Sequence, residues 1–152
     1  MDLTQGFQLT KPPKFVAWRL RNLELEDLFD GFALRKVKRG YYTLKCEPLP
    51  GLHCFLGFHL HEFDVLTELE FYAELKSESE LADSFEMFQS HFEAEFGRPT
   101  KTTPGTEGFP SHEWLVPGAT ITHFVRERFG PEEIMRIRRT GAPNQQGGSG
   151  SP

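Results

Sequence analysis

From residue 33 to residue 72 apolar and polar positions alternate with a period of two, the spacing of strands that bury one face. "YYTLKCE" sets Tyr42, Leu44 and Cys46 against Tyr41, Thr43, Lys45 and Glu47. "LHCFLGFHLH" sets Leu52, Cys54, Leu56, Phe58 and Leu60 against His53, Phe55, Gly57, His59 and His61. "VLTELEFY" sets Val65, Leu69 and Phe71 against Leu66, Glu68, Glu70 and Tyr72. These runs predict three consecutive strands of an antiparallel meander, joined by "PLPG" and by a turn at residues 62–64.

The period then becomes helical. In "SESELADSFEMFQSHFEAEFG" Ser77 and Glu80 form a capping box. Leu81, Phe85, Phe88, Phe92 and Phe96 then make one apolar stripe, which Gly97 ends and Pro99 prevents from continuing. A helix with one apolar face lies on a sheet. After a loop at 98–110, "HEWLVPGATITHFV" predicts a hairpin around Pro117-Gly118. "FVRERFGPEEIMRIRRT" predicts another around Gly130-Pro131, with a helix starting at Pro131 as the rival. Near the N-terminus, Phe15, Val16 and Trp18 mark a first strand, and Asn22 caps a short helix carrying Leu25, Leu28, Phe29 and Phe32. The expectation is a single α+β domain over residues 1–140: an antiparallel sheet with one long amphipathic helix on one face and a short N-terminal helix. Residues 141–152 have the composition of a disordered tail or linker.

Strand parity sorts the candidate chemistry, because opposed residues of an antiparallel pair share a face. Placing Leu44 and Cys46 on the core face sets Cys46 opposite Leu52 and Leu44 opposite Cys54. The two thiols are then diagonal neighbours and read as small core groups. His53, His59 and His61 fall on the outer face, so a mixed Cys/His zinc site would have to pass through the sheet. His53 is about 20 Å along the strand from His59. Pairing Phe58 with Leu69 and Leu60 with Thr67 brings His59 opposite Glu68. That leaves one metal reading, with His59, His61 and Glu68 as ligands. The cross-strand reading is a solvated face of His–Glu pairs. The same register aligns Thr43, Phe55 and Tyr72 in one row and Tyr41, Gly57 and Glu70 in the next. If no other element covers it, this aromatic and acidic strip, Tyr41, Phe55, His59, His61, Glu68, Glu70 and Tyr72, is a protein-binding face. The alternative is that the N-terminal strand and helix, or the C-terminal hairpin, cover it.

Composition narrows the partners. A net charge of −5 over 152 residues argues against nucleic acid or an anionic membrane and permits a basic partner. No apolar run approaches the roughly 18 residues of a membrane span, and the N-terminus lacks a signal-peptide pattern, so the expected location is the cytoplasm. Arg35, Lys36, Lys38 and Arg39 beside two tyrosines could hold nucleic acid, but on an acidic chain they read as an exposed hairpin end. Arg126, Arg128, Arg136, Arg138 and Arg139 are expected to pair with Glu78, Glu86, Glu93 and Glu95 of the helix, the alternative being an anionic ligand site. Ser111, His112 and Glu113 are consecutive on a strand and cannot form a relay. Trp18 and Trp114 read as core or interface anchors. No nucleotide-binding, zincin or nucleophile-elbow motif occurs, and no cofactor is expected.

The order of meander, amphipathic helix ending in "FGRP", then "HEW" and further strands resembles small α+β bacterial immunity-type proteins, over residues 40–139. The resemblance implies a non-enzymatic inhibitor that neutralises a cognate bacterial toxin by direct binding, with the outer face as the binding surface and a basic toxin domain as the partner. The alternatives are a metal-dependent enzyme or metal-binding protein using His59, His61 and Glu68, and a small-ligand-binding domain.

Overall fold

A computed structural model describes residues 1–61 and 64–142. The capping box at Ser77 forms as the sequence implies. Glu80 accepts hydrogen bonds from the backbone N–H groups of Lys76 and Ser77, at 2.6 and 3.2 Å. A 3-10 turn, Glu78–Glu80, leads into the long helix α2, Leu81–Phe96, which stops at Gly97 with φ 84°. The short helix α1, Asn22–Leu28, is capped one residue earlier than expected. Arg21 is the N-cap and its N–H bonds Glu24 at 2.9 Å, making Asn22 the first helical residue.

Among the described residues, ten strands form two sheets. β1 (Gly6–Gln8) and β2 (Phe15–Ala17) make a separate two-stranded sheet, so the predicted first strand does not join the meander. The large sheet contains β3 (Arg35–Lys38), β4 (Tyr41–Leu49), β5 (Leu52–His61), β6 (Val65–Tyr72), β7 (Lys101–Thr103), β8 (Ser111–Val116), β9 (Ala119–Glu127) and β10 (Pro131–Arg139). Its order is β3-β4-β5-β6-β10-β9-β8-β7, and every pairing is antiparallel. The strand reading of residues 131–139 is correct; Pro131 sits at the first position of its strand, where a missing N–H is tolerated. β7 lies within the stretch expected to be a loop.

Each helix precedes a four-stranded meander, and the last strands of the two meanders, β6 and β10, pair at the centre. The chain must therefore travel from the centre of the sheet to its far edge between β6 and β7. Four strand spacings make about 19 Å, and the 16 residues of α2 span about 24 Å, so the helix is long enough to carry the crossing. It does so on the core face, where Phe92 meets Phe71 at 5.2 Å and Trp114 at 6.4 Å between ring centroids. The N-terminal elements pack on that same face: Phe7 lies against Phe71 and Phe29 against Phe58. Trp18 and Trp114 are buried anchors whose indole N–H groups bond the carbonyls of Leu3 and Gly97, both at 2.8 Å. The α+β class is as the sequence indicated. No helix among the described residues is long and apolar enough to cross a membrane.

Register departs from expectation at two bulges. The β4–β5 turn is the pair Pro50-Gly51, and Leu49 opposes Leu52. Between that pair and the cysteines β4 has two residues where β5 has one, so Cys46 lies directly opposite Cys54 and Leu44 opposite Leu56. Both thiols are free, and burial pushes that of Cys46 up to about 12. The second bulge falls at Thr67. Leu60 opposes Leu66, not Thr67, and Leu66 is buried while Val65 is half-exposed, the reverse of simple alternation. An added residue flips the parity of everything beyond it, and periodicity alone gives no warning. Residues 62 and 63 of the predicted turn, and 143–152 of the tail, lie outside the described residues.

Candidate functional site

No described element packs over the face of the large sheet opposite α2. Both helices and the small sheet contribute to the core on the other side. The face is not capped by a helix, yet Tyr41, Phe55, His59, His61, Glu70 and Tyr72 on it are half-buried, and it carries the predicted side chains in corrected rows. Lys45, Phe55 and Tyr72 align in one, Thr43, Gly57 and Glu70 in the next, and Tyr41, His59 and Glu68 in the third.

The rings on this face stack. Phe55 and Tyr72 lie 5.3 Å apart at 13°, Tyr41 sits 4.6 Å from His59, and His59 and His61 follow at 6.2 Å. Gly57 makes room for this arrangement: a Cβ there would come within 2.9 Å of the Tyr41 ring. The His59 Nε2–H donates to Glu70 Oε1 at 2.8 Å, and His61 Nδ1 lies 2.8 Å from Thr67 Oγ1. The Tyr41 phenol is held well above its ordinary range, chiefly by burial and then by the Glu70 charge, so it stays protonated across physiological pH. Glu68 is only 5% exposed.

The predicted residues Tyr41, Phe55, His59, His61, Glu68, Glu70 and Tyr72 therefore do share one face. They do not converge on an ion. His59 turns to Glu70 along the sheet although Glu68 is its direct neighbour, and His61 turns to Thr67. Among the described residues no group of three or more His, Cys, Asp and Glu side chains is placed to hold a metal.

The arginines also depart from expectation. Arg126 pairs with Glu132 of β10 at 2.9 Å. Arg136 donates to Thr122 and lies over the Phe124 ring. In register, Arg136 and Arg138 stand opposite Glu70 and Glu68 at the β6–β10 seam. Parity puts these three on the open face, away from the helix, where Glu95 takes the N-terminal ammonium and Glu93 takes Gln89. Arg35, Lys36 and Lys38 form the exposed edge strand β3, a charged edge of the kind that discourages strand addition.

A second polar group lies under α2. His123 is wholly buried, with Nδ1 at 2.7 Å from Gln89 Oε1 and Nε2 at 2.6 Å from Glu133 Oε2. Ser84 donates to the other Glu133 oxygen at 2.6 Å, and Phe85 stacks on the imidazole at 3.9 Å and 16°. Gln89 donates through Nε2 to Glu93, which leaves its Oε1 facing His123 Nδ1, as Glu133 Oε2 faces Nε2. The serine is bonded to the carboxylate and not to the imidazole, and both imidazole nitrogens are engaged. The arrangement ties helix to sheet. Alternation in "ATITHFV" already places His123 with Ala119, Ile121 and Val125 on the buried face, a signal the motif-based reading missed.

His112 stands opposite His123 on β8. Burial, and then the His123 charge, push its imidazole below the ordinary histidine range. A histidine whose folded value is depressed favours the native state when neutral, so this contribution is lost as pH falls below about 6.5. Thermal melts between pH 8 and pH 5 are expected to show a loss of stability that His112→Asn reduces. An unchanged pH profile in that variant would contradict the assignment.

Comparison of the chain with protein-family models, curated proteins and solved structures finds no match.

Proposed function

We propose that the chain is a non-enzymatic protein-binding module of immunity or inhibitor type, acting in the cytoplasm by covering a cognate bacterial toxin. The observation that carries this reading is the uncovered sheet face, on which stacked Phe55–Tyr72 and Tyr41–His59 rings stand beside Glu68 and Glu70. Interfaces concentrate their energy in such rigid aromatic anchors, ringed by polar groups that exclude water. The net charge of −5 favours a partner presenting a basic surface.

The test is co-expression with toxins encoded beside the gene, with growth and direct binding as readouts. Protection is expected, with Phe55→Ala weakening the complex by about 2 kcal/mol, roughly 30-fold in Kd. Absence of both protection and a bound toxin would remove the reading.

A further inference from the structure

The seam between the two meanders is only partly closed. β6 and β10 pair at Glu70, Leu69 and Glu68 with Arg136, Ile137 and Arg138. Continued by the same register, Phe71 would oppose Met135, Tyr72 would oppose Ile134 and Ala73 would oppose Glu133. None of these pairs forms. β6 ends at Tyr72 and the chain leaves toward α2, whereas β10 continues to Pro131 in its pairing with β9. The strands part there, and a cleft of about 420 Å³ opens where the ladder stops. Its walls are the unzipped residues themselves, Tyr72 and Ala73 on one side and Pro131, Glu132 and Glu133 on the other, with Tyr41 and Glu70 at the open face.

Two features of this cleft point to the same occupant. Alternate residues of a strand direct their N–H and C=O groups to each side. Beyond Arg136 the side of β10 away from β9 therefore presents backbone groups with no ladder partner, and so does the end of β6. Such edges accept an extended peptide. The side chains are tyrosines and carboxylates held in position: Glu70 by His59, Glu132 by Arg126, and Glu133 by His123 and Ser84. Aromatic faces beside carboxylates suit a cationic side chain. At the same end of β10, Phe129 is fully exposed in a left-handed conformation, φ 54°, a poor choice for a turn that meets only water.

We propose that the cleft between β6 and β10 receives an extended segment of the protein partner, which pairs with the opened strand edges and lays a lysine or arginine side chain between Tyr72 and Glu132. This rests on the protein-binding reading above and adds the chemistry of the segment recognised.

The full chain, isotopically labelled, is titrated with a capped Val-Arg-Val-Arg-Val peptide, with Val-Glu-Val-Glu-Val as control, and backbone amide shifts and exchange rates are followed. Saturable shifts and slowed exchange at residues 71–75 and 132–135 are expected with the arginine peptide alone. Affinity should fall at least tenfold in Glu132→Lys, which reverses the charge, and in Ala73→Trp, which fills the space, with melting curves confirming that both fold. Shifts confined to other residues, an equal response to the acidic peptide, or full affinity in both variants would overturn the proposal. A toxin that tolerates Ala73→Trp but not Phe55→Ala would remove the cleft and leave the open face standing. Arginine-peptide binding at the cleft without any toxin would support the cleft and remove the immunity reading.

Discussion

Replacing His123 by leucine is expected to lower the unfolding free energy by about 3–5 kcal/mol, because it strands the Glu133 carboxylate beneath α2 without the imidazole that hydrogen-bonds it. For a chain of this length that is a fall in Tm on the order of 10 °C. The loss belongs to the pair. In His123→Leu/Glu133→Met both polar groups are replaced by apolar ones, and most of the stability should return, less the hydrogen bond that Ser84 gives up. Chemical denaturation of the two single variants and the double variant measures the coupling. If the double variant loses as much as the two single losses added together, the residues act independently and the network does not hold the helix.

Phe92→Ala is expected to cost a further large amount, about 3–5 kcal/mol, for a different reason. Phe92 is fully buried where the two meanders and α2 meet, touching Phe71 of the first, Trp114 of the second and Phe96 of its own helix. Rings on both sides are anchored by their strands and cannot close over the space, so a cavity remains. Phe96, on the same stripe but half-exposed at the helix end, should lose much less as Phe96→Ala. Equal losses from the two would mean that the stripe does not clamp the halves together.

Much of the candidate site was legible before any coordinates. The alternation through residues 52–61 assigned Phe58 and Leu60 to the core and His59 and His61 to the outer face, and all four lie there. Opposing His59 to Glu68 was also correct. What alternation could not supply was the hydrogen bond His59 makes, because Glu70 is its diagonal neighbour and competes on nearly equal terms. That bond turns His59 away from Glu68, so the three side chains of the metal reading do not converge among the described residues. The buried group at His123 was half legible. Its face was readable from period two, but its partners come from α2 and β10, 34 and 10 residues away along the chain.

Local order, then, is what the chain states on its own. Hydrophobic period, the Ser77–Glu80 capping box, Gly97 and the Pro117-Gly118 turn specify strands, helix and hairpins, because each depends on residues a few positions apart. Tertiary structure alone decided the rest: the bulge that sets Cys46 opposite Cys54, the pairing of β6 with β10, the uncovered face, and the point at which that seam opens. These depend on which elements meet after the chain has turned back on itself. A strand's alternation records that it has a buried side and an open one; it does not record which strand lies beside it.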